Sequence, residues 1–197
     1  MMLLCWPLAG LSLVHALLVW ILFGVGLCTC SLSRLVGWPV AALSTIGAPA
    51  AFFNLFDGQN GYFTAVLLVW GLMLIDRRPV FAGLLLGMLC YKPHLGILLP
   101  VALVAGAQWR VLGAATACVI FLVGASVISL GLNAWIGFFD QMVLERMVLP
   151  FARSTWAGMP TVFVMMRMAG AGLPAAYLMQ GVSAISAAAA IAALWHG

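Results

Sequence analysis

Apolar runs, broken at short intervals by charges, glycines and prolines, dominate the chain. Cutting it at those points leaves about seven apolar segments, over residues 3–28, 38–53, 61–75, 79–91, 95–107, 111–132 and 174–195. The runs are rich in Leu, Ala, Val and Gly without sustained period-two alternation. They predict helices, because lipid-exposed backbone is tolerated only in helices or closed barrels. The connections Asp76-Arg77-Arg78 and Gln108-Trp109-Arg110 are too short for anything but tight turns between antiparallel neighbours. The expected fold is therefore an all-α, polytopic transmembrane helix bundle forming a single integral membrane domain over residues 1–197.

Several segments are short for a span. Residues 79–91 give only about 20 Å of helix, against about 30 Å of hydrocarbon. One alternative joins residues 79–107 into a long helix kinked at Pro93, which would put Arg77 and Arg78 opposite Arg110. The hairpin alternative places all three, and Arg34, on one side, which agrees with cytoplasmic loops carrying Lys and Arg. Lys92, Arg146, Arg153 and Arg167 then face outward, four basic residues against four. In the hairpin arrangement the outer ends of the short helices lie below the membrane surface. Irregular backbone at that depth is tolerated only where protein buries it or an aqueous cavity is present.

Composition agrees with the pattern. Charged residues make up 6% of the 197 positions and hydrophobic ones 66%, with a mean hydropathy of +1.21. A soluble domain carries about a quarter charged residues, so that class is excluded. The net charge of +4 is spread along the chain, without a nucleic-acid footprint. The five cysteines lie in or beside apolar runs, with no metal-ligand spacing, and read as small core residues. No metal or cofactor is expected. Residues 1–26 lack a positively charged start and read as a membrane helix rather than a cleaved signal.

Against this background two polar knots stand out, Asp57-Gly58-Gln59-Asn60-Gly61-Tyr62 and Tyr91-Lys92-Pro93-His94. Ionisable groups at membrane depth mark functional sites. Gln59 and Asn60 carry donors and acceptors suited to sugar hydroxyls; the plainer reading is a turn in which Asn60 caps the next helix. Lys92 ends one helix at Pro93, where an ammonium can hold a phosphate as a point charge. Its alternative is snorkelling to headgroups, with His94 bonded to a free carbonyl or acting as an acid or base. Residues 133–172 predict an interfacial, extracytoplasmic segment. Asn133 would cap a helix in which Asp140, Gln141 and Glu145 interrupt a face of Trp135, Phe138, Phe139 and Met142, ending at Pro150. Thr161 would cap a short helix carrying Arg167, closed by Gly170-Ala171-Gly172 before Pro174. Arg146, Arg153 and Arg167 are candidates for gripping an anionic group; the alternative is pairing with Asp140 or Glu145, or contact with ordinary headgroups.

A Gly-Gln-Asn turn opening a helix, a tight Arg-Arg-Pro loop, a Gly- and Leu-rich helix and then Tyr-Lys-Pro-His resembles glycosyltransferase family 87. The best match covers residues 56–110, and residues 161–195 look like the family's closing segment. The resemblance implies a GT-C-like membrane hexosyltransferase. Such an enzyme would pass a hexose, mannose in the related enzymes, from a polyprenyl-phosphate donor to a lipid or glycan acceptor outside the cell membrane. Carried over by position, Gln59 and Asn60 would lie at the sugar cavity, and Lys92 with Pro93 beside the donor phosphate. Placing His94, Arg146 and Arg153 among the substrate contacts is a physical inference. The fold usually puts its catalytic acid in a first outer loop, yet residues 1–56 contain no Asp or Glu. An N-terminally incomplete copy is the expectation, with Asp57 as a substitute acid or an inactive remnant as alternatives. A transporter or channel is the rival class, since interrupted helices also build midplane sites.

Overall fold

The computed structural model describes residues 6–56, 58–92, 96–151, 156, 159 and 161–196. Asp57, His94 and Arg153 lie outside the described residues. Among the described residues the chain is helical without strands. After a 3-10 turn at Trp6–Gly10, the helices are α1 (Leu13–Val36), α2 (Trp38–Gly47), α3 (Pro49–Phe56), α4 (Gly61–Met73), α5 (Pro79–Gly87), α6 (Leu99–Ala105), α7 (Trp109–Leu130), α8 (Leu132–Val148), α9 (Val162–Met168) and α10 (Leu173–Trp195). A 3-10 turn, Met88–Tyr91, extends α5. Among the described residues three helices, α1, α7 and α10, are long and apolar enough to cross a membrane.

The boundaries differ from the sequence pattern where local chemistry intervenes. The first helix runs past Cys28 to Val36, because its hydroxyls bond their own helix. Ser31 Oγ donates to the Leu27 carbonyl at 2.7 Å and Ser33 Oγ to that of Cys30 at 2.8 Å, so polar residues do not end it. Gly37 ends it, with φ +79° and ψ 159°, a conformation essentially reserved for glycine. The segment over 38–53 splits because Ala48 is extended ahead of Pro49, as a residue preceding proline must be. Gly131 breaks α7 from α8 with the same positive φ. Gly131, not Asn133, therefore occupies the cap position of α8, and Asn133 falls inside the first turn. Thr161 does cap α9, its Oγ1 accepting from Val164 N at 3.2 Å.

The chain packs as two compact units, Met1–Ile97 with Gln108–Val119, and Leu98–Ala107 with Ile120–Gly197. In the first, α1 and α4 run parallel: Trp20 stacks on Phe63 with ring centroids 4.3 Å apart, and further along Trp70 Nε1 donates to Ser31 Oγ at 2.9 Å. Helix α5 returns antiparallel to α4. Helix α7 lies parallel to α5, with Gly83 against Ala114 and Gly87 against Cys118. Arg34 at the end of α1, Arg77 and Arg78 between α4 and α5, and Arg110 at the start of α7 consequently share one end of this unit. That is the arrangement of the hairpin alternative.

In the second unit α9 packs on α10 around Trp156, Phe163, Val164 and Ala176. Gln180, midway along an apolar helix, accepts from Phe163 N through Oε1 at 2.9 Å, supplying a partner to one of the open amides that begin α9. Gln180→Leu leaves that amide unpaired and is expected to cost about 1–3 kcal/mol, read as a lower melting temperature in detergent. An unchanged melt would mean the amide finds another partner.

Candidate functional site

The site is built from the start of α4. Asn54, near the end of α3, donates through Nδ2 to the Ala50 carbonyl at 2.8 Å, and its Oδ1 accepts from Gly61 N at 2.8 Å. This bond closes the turn that carries Gln59 and Asn60. Glycine at position 61 leaves room for this bond, since an added Cβ would stand 2.6 Å from the Asn54 Nδ2 and push the amide aside.

Asn60 stands at the N-cap position of α4, but its side chain makes no capping bond. Its Oδ1 is buried and, among the described residues, has no hydrogen-bond partner. The capping reading of Asn60 is thus corrected: the Asn60 carbonyl, not its side chain, serves the helix, accepting from Thr64 N at 3.1 Å and Thr64 Oγ1 at 3.0 Å. A buried acceptor without a donor is rare, and this one is open to a ligand hydroxyl. The Tyr62 hydroxyl is likewise buried and unpartnered, its ring packed with Cys28 and Ala51. Gln59 is exposed.

Thr64 links the two polar knots, bonding the Asn60 carbonyl on one side and Tyr91 on the other. Thr64 Oγ1 and Tyr91 Oη are 2.6 Å apart, although 27 positions separate them. This contact ties the first turn of α4 to the end of the α5 extension and sets Lys92 beside it in the chain. Lys92 is half-buried, and among the described residues its ammonium has no hydrogen bond or ion pair. Asn60, Thr64, Tyr91 and Lys92 lie at the end of the first unit opposite Arg34, Arg77, Arg78 and Arg110. An unpaired cation and an unfilled acceptor can hold an anionic, hydroxyl-bearing ligand.

Asn54 and Thr64 carry this geometry without standing out in the sequence, whereas Tyr91 opens the second knot without a role of its own there. A faint signal existed, because Asn60 and Thr64 are four apart and so share a helix face. The remaining candidates belong to the second unit. Arg146 is exposed on α8 and, among the described residues, forms no ion pair; Glu145 instead accepts from Gln141 at 3.4 Å. Arg167 is committed to structure. Its Nη1 donates to the Ala171 carbonyl at 2.7 Å and its Nη2 to that of Pro150 at 3.4 Å, with the guanidinium 5.6 Å from the Trp156 ring centroid. Among the described residues no group of three or more His, Cys, Asp or Glu could hold a metal ion.

Long apolar helices alternating with short interrupted ones define a multi-span membrane protein. The family model for glycosyltransferase family 87 matches residues 1–197, the whole chain. The chain belongs to glycosyltransferase family 87, and is a membrane glycosyltransferase. No curated protein and no solved structure matches it.

Proposed function

We propose that the chain is a hexosyltransferase that passes mannose from a polyprenyl-phosphate donor to a hydroxyl of a lipid or glycan acceptor, on the extracytoplasmic side of the plasma membrane. The observation that carries this reading is the unfilled Asn60 acceptor in a turn tied through Thr64 and Tyr91 to Lys92. Asn60 Oδ1 accepts from a sugar hydroxyl, and the exposed Gln59 supplies a second polar contact. Lys92 faces the phosphate. His94, next but one along the chain, joins it.

In the reaction the bond between the sugar's anomeric carbon and the donor phosphate oxygen breaks, and the acceptor oxygen bonds to that carbon. The phosphate leaves with the electron pair and gains negative charge, which a fixed ammonium stabilises. The acceptor proton passes to a carboxylate; Asp57, beside Gly58, is the one this turn supplies. Arg146 and Arg153 contact the anionic groups of the lipid-linked substrates.

Asn60→Ala removes the hydroxyl contact and is expected to lower kcat/KM for a polyprenyl-phosphate mannose about 10-fold, the effect of about one lost hydrogen bond. The measurement is transfer of labelled mannose by membranes containing the full chain. Wild-type kinetics in the variant would remove Asn60 from the site, and donor left intact by active preparations would sink the substrate assignment.

A further inference from the structure

The arginine end of the first unit carries a second polar feature, separate from the knots. A groove of about 530 Å³ runs between α5 and α7, with Arg78, Pro79, Val80, Phe81, Leu84 and Arg110 along it. Its volume is in the range of small-molecule sites, about 300–1,000 Å³.

Three observations define its chemistry. Arg78 and Arg110 are exposed and, among the described residues, neither makes a hydrogen bond or ion pair; Asp76, the carboxylate nearest in sequence, is likewise unpaired. Helices α5 and α7 run parallel, so the positive ends of two helix dipoles lie at the same end as the two guanidinium groups. Arg78 is also the N-cap of α5 and offers its first amides no side-chain bond. The rest of the groove is hydrocarbon, with Val80 60%, Phe81 51% and Leu84 41% exposed.

We propose that this groove holds one anionic phospholipid from the leaflet at the arginine end. Its phosphate lies between Arg78 and Arg110, and an acyl chain runs along Val80, Phe81 and Leu84. Charge complementarity selects the phosphate, because two arginines without a carboxylate partner present donors matched to its oxygens. The apolar floor favours a lipid over a free anion, since a lipid brings its acyl chain and its phosphate to the groove together. Basic pockets between membrane helices bind anionic headgroups by the same logic. This site does not depend on the transfer reaction proposed for the knots.

The test uses the purified full chain and native mass spectrometry after stepwise delipidation. The wild type is expected to retain one phosphatidylglycerol and no phosphatidylcholine, and millimolar inorganic phosphate should not displace the lipid. R78Q/R110Q should retain at least tenfold less. R34Q/R77Q, which removes the same charge at the same end but outside the groove, should retain as much as wild type. R78K/R110K guards against misfolding, because it keeps the charge and should recover most of the retained lipid. Equal retention by R78Q/R110Q, equal loss in R34Q/R77Q, no recovery in R78K/R110K, or displacement by inorganic phosphate would each overturn the proposal.

Discussion

Lys92→Ala is expected to lower glycosyl transfer by the full chain about 10²–10³-fold, the typical loss when one fixed group facing developing charge is removed. The lysine closes the 3-10 turn that extends α5, its amide donating to the Leu89 carbonyl at 2.9 Å. That bond is made by backbone and survives substitution. The side chain has no hydrogen bond or ion pair among the described residues, so its removal breaks no polar contact there, and the melting temperature should fall far less than the activity. The loss should appear in kcat more than in KM, because the phosphate gains charge as the glycosidic bond breaks. Lys92→Arg keeps the charge and should recover part of the rate. Snorkelling, the competing explanation of this lysine, predicts no loss of turnover. Wild-type rates from Lys92→Ala would decide for it.

Gly83→Val is expected to separate α5 from α7 and to cost about 3 kcal/mol or more, the upper end for overpacking. A Cβ at position 83 would stand 2.6 Å from the Ala114 Cβ and 3.0 Å from the Ala115 amide nitrogen. One at position 87 would stand 2.7 Å from the Ala115 carbonyl oxygen and 2.8 Å from the Cys118 Cβ. All four atoms are backbone or Cβ, whose positions no rotamer changes. No repacking relieves the clash. The neighbouring Gly113 gives the control, since a Cβ there meets nothing within 4 Å, and Gly113→Ala should melt at or above the wild type. Thermal denaturation in detergent measures both. A Gly83→Val protein as stable as wild type would show that α5 and α7 do not pack through these glycines.

The same glycines show where a sequence reading stops. Residues 79–91 were visible as an apolar segment with two glycines four apart, but the side chains around them are as apolar as the rest. In lipid no hydrophobic stripe marks the packed face, because acyl chains and a protein core solvate Leu alike. Position 62 makes the same point. Tyr62 reads as one more aromatic at a helix start, and only its packing with Cys28 and Ala51 reveals a buried, unpartnered hydroxyl.

What was legible in the residues was local. The mean hydropathy, the spacing of charges and the proline and glycine breaks identify an all-α membrane chain and place most of its helices within a few residues. Helix formation in lipid is governed by backbone bonds four residues apart and by the absence of water. The two polar knots could likewise be picked out as costly interruptions. Their link through Thr64 could not be seen, because the Thr64–Tyr91 contact depends on how α4 and α5 are rotated and set in register. So does the common end shared by Arg34, Arg77, Arg78 and Arg110, and so does the failure of the Asn60 side chain to cap its own helix. Rotation and register follow from the fit of small residues between helices, a property of shape rather than polarity, and are settled when the helices pack.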